Sequence, residues 1–153
     1  MHDRRRGFTL LELLVALVIV GVMLGAVALN AGPGERQQLH NEAQRIALLL
    51  QLARDEAIVR NQPVAFETDE YRYRFLIRAD DQWRVLSGDE QLRERAYRHA
   101  PLTLQLQPPP GNPLPLRIVF GREPVDKAFV LTLATGGYSA TIRADGIGNF
   151  QVE

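Results

Sequence analysis

The sequence predicts an α+β fold: a long N-terminal helix, apolar in its first half and amphipathic in its second, packed on antiparallel β-sheet. Three observations carry this. An unbroken apolar run fills residues 13–29. Apolar residues then recur at spacings of four and three between residues 39 and 57. From residue 64 onward the pattern changes to strict two-residue alternation in short stretches.

The chain has 153 residues, with 18 Lys+Arg against 18 Asp+Glu and no cysteine. This length suits one anchor and one small domain. A zero net charge offers no basic field for nucleic acid, so no nucleic-acid partner is expected. Without cysteine there are no disulfides, thiolate zinc sites or thiol nucleophiles.

The first element opens on Arg4-Arg5-Arg6-Gly7-Phe8-Thr9-Leu10-Leu11-Glu12. Phe8 to Leu29 would form a helix of about 33 Å, close to the thickness of a bilayer core. The arginines lie on one side only, which places the N-terminus in the cytoplasm and everything after Leu29 across the membrane. Two processing readings compete. A secretory signal would be cut at Ala26-Val27-Ala28, and Arg5-Arg6 even resembles a twin-arginine signal. Alternatively the cut falls between Gly7 and Phe8 and the apolar helix is retained. Glu12 bears on the choice, because a carboxylate inside an apolar span costs roughly 2.5–3.5 kcal/mol. A disposable signal gains nothing from that cost. A retained helix recovers it if Glu12 meets a cation, such as the free α-amine that cleavage would create at Phe8 of a neighbouring subunit.

Asn30-Ala31-Gly32-Pro33-Gly34 should break the helix. The division expected is therefore a leader at 1–7, a membrane and assembly helix at 8–29, a break at 30–34 and a globular domain at 35–153. The second helix, Glu35 to Asn61, carries one stripe: Leu39, Ala43, Ile46, Leu50, Ala53 and Ala57. Arg36, Gln37, Glu42, Gln44, Gln51 and Asp55 fall on the other face, and Glu56 with Arg60 makes a favourable i,i+4 pair. Asn61-Gln62-Pro63 ends it.

The strands follow by alternation. Val64 and Phe66 share a face, as do Tyr71, Tyr73, Phe75 and Ile77 with arginines opposite. Trp83 and Val85, then Leu102, Leu104 and Leu106, then Leu116, Ile118 and Phe120 continue the pattern. Phe129, Leu131 and Leu133, then Tyr138, Ala140 and Ile142, and last Phe150 and Val152 complete it. Asp80-Asp81 and Asp145-Gly146 read as turns. Ser87 to Ala100 is polar and charged and reads as a mobile loop. Pro108 to Pro115 should be stiff and extended.

No constellation for chemistry emerges. His2 falls in the leader, His40 on the amphipathic helix, and His99 in a charged loop without a partner at ligand spacing. Gly146-Ile147-Gly148 begins like a dinucleotide loop but lacks the surrounding unit. No catalytic residue, cofactor or metal is expected.

Arg6-Gly7-Phe8-Thr9-Leu10-Leu11-Glu12 resembles the leader junction of type IV pilins and type II secretion pseudopilins. Leu52-Ala53-Arg54-Asp55-Glu56-Ala57-Ile58, Gln62-Pro63-Val64, Tyr73-Arg74-Phe75 and Ile118-Val119-Phe120-Gly121-Arg122-Glu123-Pro124 narrow this to the H-type minor pseudopilins of type II secretion. The resemblance implies a pilin-like fold and a structural, non-enzymatic role. It implies cleavage between Gly7 and Phe8 by a prepilin peptidase, methylation of Phe8, and Glu12 as the assembly acid. The implied partners are other minor pseudopilins, the major pseudopilin, an inner-membrane assembly platform and membrane lipid. The implied place is a single-pass inner-membrane protein with a periplasmic domain, joining the tip of a pseudopilus to its shaft. The alternatives are a minor pilin of a type IV pilus and a periplasmic binding module released by signal peptidase.

Overall fold

The computed structural model describes residues 9–30, 34–111 and 114–153. Two helices and nine strands lie in them, in the order α1 (Leu10–Asn30), α2 (Glu35–Arg60), β1 (Val64–Thr68), β2 (Arg72–Ala79), β3 (Gln82–Val85), β4 (Arg95–Ala96), β5 (Thr103–Gln107), β6 (Leu116–Phe120), β7 (Phe129–Thr135), β8 (Tyr138–Ala144) and β9 (Phe150–Val152). Two compact units divide after Gly34, one holding α1 and the other running from Glu35 to Glu153. The expected break at 30–34 falls largely on residues 31–33, outside the described residues.

In the larger unit every strand pair is antiparallel. One sheet runs β3-β2-β1-β6, with β4 end to end with β3 on the free side of β2; the other runs β5-β7-β8-β9. α2 lies against strands of both sheets. The whole expected stripe, from Leu39 to Ala57, is buried. The stripe mixes large residues with alanines, so Ile46 and Leu50 reach into the core while Ala43, Ala53 and Ala57 let the sheets come close. Each large aliphatic contributes about 1.5–3 kcal/mol by leaving water.

Aromatics join the layers. Phe66 packs on Tyr73 and Phe75, with ring centroids 5.6 and 5.4 Å away. Phe120 of the first sheet meets Phe129 at 6.4 Å and Phe150 at 6.2 Å, both from the second. This triangle ties the two sheets at the edge where β6 ends.

Turn chemistry follows the sequence. Asp80 and Asp81 both take positive φ, 50° and 59°, the two-residue hairpin geometry that matches strand twist. At the β8–β9 loop, Asp145 Oδ1 accepts the N–H groups of Ile147 at 2.9 Å and Asn149 at 3.0 Å. A Cβ on Gly146 would stand 2.3 Å from the carbonyl oxygen of Asp126, so only glycine lets these two loops touch.

Three expectations need correction. Trp83 and Val85 do not continue the buried face of Tyr73 and Phe75; by register they lie opposite Arg78 and Leu76, on the other face. Tyr71 does not share the face of Tyr73; it precedes β2 and is exposed. Asp69 explains this, since its Oδ1 accepts the N–H groups of Tyr71 at 2.8 Å and Arg72 at 2.9 Å and holds them in a turn. Nor is residues 87–100 a free loop. Leu92 and Tyr97 within it are buried, and β4 pairs Arg95 with Tyr73 and Ala96 with Arg72.

Candidate assembly site

α1 begins with a cap. Thr9 Oγ1 accepts the N–H of Glu12 at 3.3 Å, and the Thr9 carbonyl accepts those of Glu12 at 3.0 Å and Leu13 at 3.2 Å. Thr9 to Glu12 is thus a threonine three residues ahead of a glutamate, the spacing of a capping box. An acid in the first turn also sits favourably against the positive end of the helix dipole. Sequence reasoning used Thr9 only within the leader-junction motif, although its capping-box spacing to Glu12 was there to read. Glu12 is the one charged residue on α1 and is exposed. Around and below it the apolar side chains from Leu10 to Leu24 are exposed on every side of the helix. A helix apolar all round needs lipid or other helices. Gly7 and Phe8 lie outside the described residues.

Among the described residues no helix is long and apolar enough to cross a membrane. The part of α1 whose side chains are described ends at Gly25, about 24 Å of helix. Among the same residues no three His, Cys, Asp or Glu are grouped to hold a metal ion. His40 Nε2 lies 3.1 Å from Gln44 Nε2 on the surface of α2. His99 lines a cavity of about 80 Å³ with Glu35, Glu42 and Arg98.

A second charged feature escaped the sequence. Glu67, at the middle of the first sheet, is 3% exposed although it points away from the α2 side. Its register partners are Arg74 on β2 and Arg117 on β6. Arg74 donates from Nε to Oε1 at 2.8 Å, and its Nη2 lies 2.6 Å from the same oxygen. Arg117 donates from Nε at 3.0 Å, and also from Nη2, to Oε2. Burial pushes the carboxyl up, but these bonds and the two positive charges outweigh it and hold the group below the usual range. The guanidinium of Arg117 stacks over Trp83, 5.5 Å from the ring centroid.

The family described as type II transport protein GspH matches residues 42–148. The chain belongs to the GspH family. A prokaryotic N-terminal methylation motif matches residues 2–28, ahead of that region. Type II secretion system protein H of Pseudomonas aeruginosa is 32% identical over 141 residues, covering 88% of this chain and 78% of its own length. Among solved structures, the minor pseudopilin EpsH of the Vibrio cholerae type 2 secretion system superposes with a TM-score of 0.60 at 20% identity, covering 76% of this chain and 96% of that one. The type IV minor pilin FimU of Pseudomonas aeruginosa gives 0.57 at 17%, covering 78% and 90%. The likeness to both structures shows the pilin-like α+β fold. The GspH match is what singles out the H-type minor pseudopilins.

Proposed function

We propose that this GspH-family chain is a structural subunit of a type II secretion pseudopilus, anchored in the inner membrane by α1, which links tip minor pseudopilins to the major pseudopilin shaft. A prepilin peptidase removes residues 1–7 and methylates Phe8. Residues 8–29 span the inner membrane, and residues 35–153 stand in the periplasm. The 21-residue helix Leu10–Asn30 spans about 32 Å, and the arginines before it lie on one side only. An assembly platform feeds the subunit into a bundle, where its helix exchanges lipid for other pseudopilin helices.

The single observation that carries this reading is the GspH match behind an N-terminal methylation motif. Glu12 then has a role. It stands on a helix with no other charge, so in a dry bundle it needs a cation, and the N-terminal amine of a neighbouring Phe8 supplies one.

A capping-box role for Glu12, which its spacing to Thr9 allows, offers a competing explanation, and two substitutions separate them. Glutamine caps as well as glutamate at this position but cannot neutralise an amine. Glu12→Gln and Glu12→Ala should both insert, be cleaved, and fail to co-purify with the other pseudopilins, each by about tenfold or more. Normal recovery with Glu12→Gln would leave only the cap. The intact mass of the mature protein checks the processing: it should begin at N-methylated Phe8, whereas an N-terminus at Leu29 would identify a released periplasmic module.

A further inference from the structure

The outward faces of the two sheets differ in kind. That of the second shows Thr103, Gln105, Gln107, Ser139 and Gln151, short or neutral polar groups, and one arginine, Arg143, paired with Glu153 at 3.5 Å. That of the first centres on the Arg74–Glu67–Arg117 clamp and is flanked by Val85 and Val119, which are 46% and 45% exposed. By register Val85 lies opposite Leu76, and Val119 opposite Ala65, all on the clamp's face.

The clamp is charged in a specific way. Two guanidiniums enclose one carboxylate, so the trio carries a net charge of +1. Both carboxylate oxygens are taken, each by Nε and Nη2 of one arginine. Glu67 therefore has little left to offer a visitor, while each arginine keeps its Nη1 for one. Other arginines on this face already have acids: Arg72 pairs with Glu94 at 3.1 Å and Arg78 with Asp81 at 3.2 Å. The surplus positive charge is thus confined to the clamp. Trp83 under Arg117 and Glu67 between the two forks hold the guanidinium planes before anything binds, so little side-chain entropy remains to be lost. Arginine and tryptophan beside half-exposed aliphatics form the composition of an interface centre, not of a solvated face.

We propose that this face docks a neighbouring pseudopilin subunit through an acidic side chain set among apolar ones. The carboxylate sits across the Nη1 groups of Arg74 and Arg117, and the apolar surround covers Val85 and Val119. The proposal rests on the pseudopilin reading above, because that reading supplies neighbours. Charge complementarity selects an acid, and the flat, half-apolar surround selects a protein surface over a lipid headgroup.

Photo-crosslinking of the full chain in cells that assemble the secretion system tests it. Benzoylphenylalanine is placed at Val85 in one strain and at Leu14 of α1 in another. Both should give adducts with other pseudopilins, and the peptide joined at Val85 should contain Asp or Glu. Val119→Asp sets a carboxylate beside the clamp and should cut the Val85 adduct at least tenfold. Val119→Thr keeps the strand and the charge and should leave it within about twofold; thermal melts of both variants confirm folding. Adducts at Leu14 but none at Val85 would overturn the docking face and leave the pseudopilin reading standing. Capture of lipid alone, a partner peptide without an acid, or indifference to Val119→Asp would overturn it as well. Absence of adducts at both positions would overturn the pseudopilin reading and the docking face together.

Discussion

Glu67 shows how one residue can be nearly buried and still charged. Its carboxylate is kept from water by two arginines that are themselves partly exposed, with side chains 42% and 38% accessible. Removing a buried charge from its partners costs 3–5 kcal/mol when the partners are stranded, but these arginines can rehydrate. Glu67→Gln should therefore cost about 1–2 kcal/mol at neutral pH, read from urea unfolding. The pH dependence has a definite sign. The folded-state carboxyl is held below its unfolded value, so the clamp's contribution is complete above about pH 5 and is lost as pH falls through the folded value. The difference between wild type and Glu67→Gln should shrink towards acid pH; a gap that persists at pH 2–3 would show that packing, not charge, sets it. Nothing in the local sequence marks Glu67. Alternation places it among the wet residues, and its burial arises only once register sets Arg74 and Arg117 on either side.

At the scale of elements, the stripe of α2 was legible, although Glu42, read as polar-face, is buried, and the irregular segments were not. A helix repeats its geometry every 3.6 residues, so a stripe of six apolar positions over-determines which face is buried. Leu48 and Leu50 sharpen the point. They are the same residue two positions apart, yet Leu50 is 0% exposed and Leu48 is 68%. Leu50→Ala should destabilise the domain by about 2–5 kcal/mol, while Leu48→Ala should stay within about 0.5 kcal/mol, both measured by chemical unfolding. Equal costs would place the core on another face of α2. Segment 87–100 has no repeat to read. Its anchors, Leu92 and Tyr97, are single apolar residues among charges, and only the pairing of β4 with β2 reveals that they are held. The division of the strands between two sheets was equally hidden, because alternation tells which face is buried but not which strand lies beside which.

For the whole molecule, the question is what the larger unit owes to α1. Every residue of the hydrophobic core lies between Leu39 and Val152, and both sheets and α2 fall within Glu35–Glu153. Loops remote in sequence are also tied inside this unit: Arg54 of α2 donates to the carbonyl oxygens of Pro124 and Ile147, and Asp126 N–H donates to the Gly146 carbonyl at 2.7 Å. By contrast the described apolar side chains of α1, Leu10 to Leu24, are exposed on all sides. Folding and anchoring should then be separable. A chain starting at Glu35 should be soluble, unfold in one cooperative transition, and melt within a few degrees of the full chain in detergent, followed by circular dichroism. It should also lose co-purification with other pseudopilins, since the helix that enters the bundle is gone while the docking face alone must hold the partner. A truncated chain that is molten or aggregated would mean that the N-terminal helix completes the fold, and the assignment of stability to residues 35–153 would be wrong.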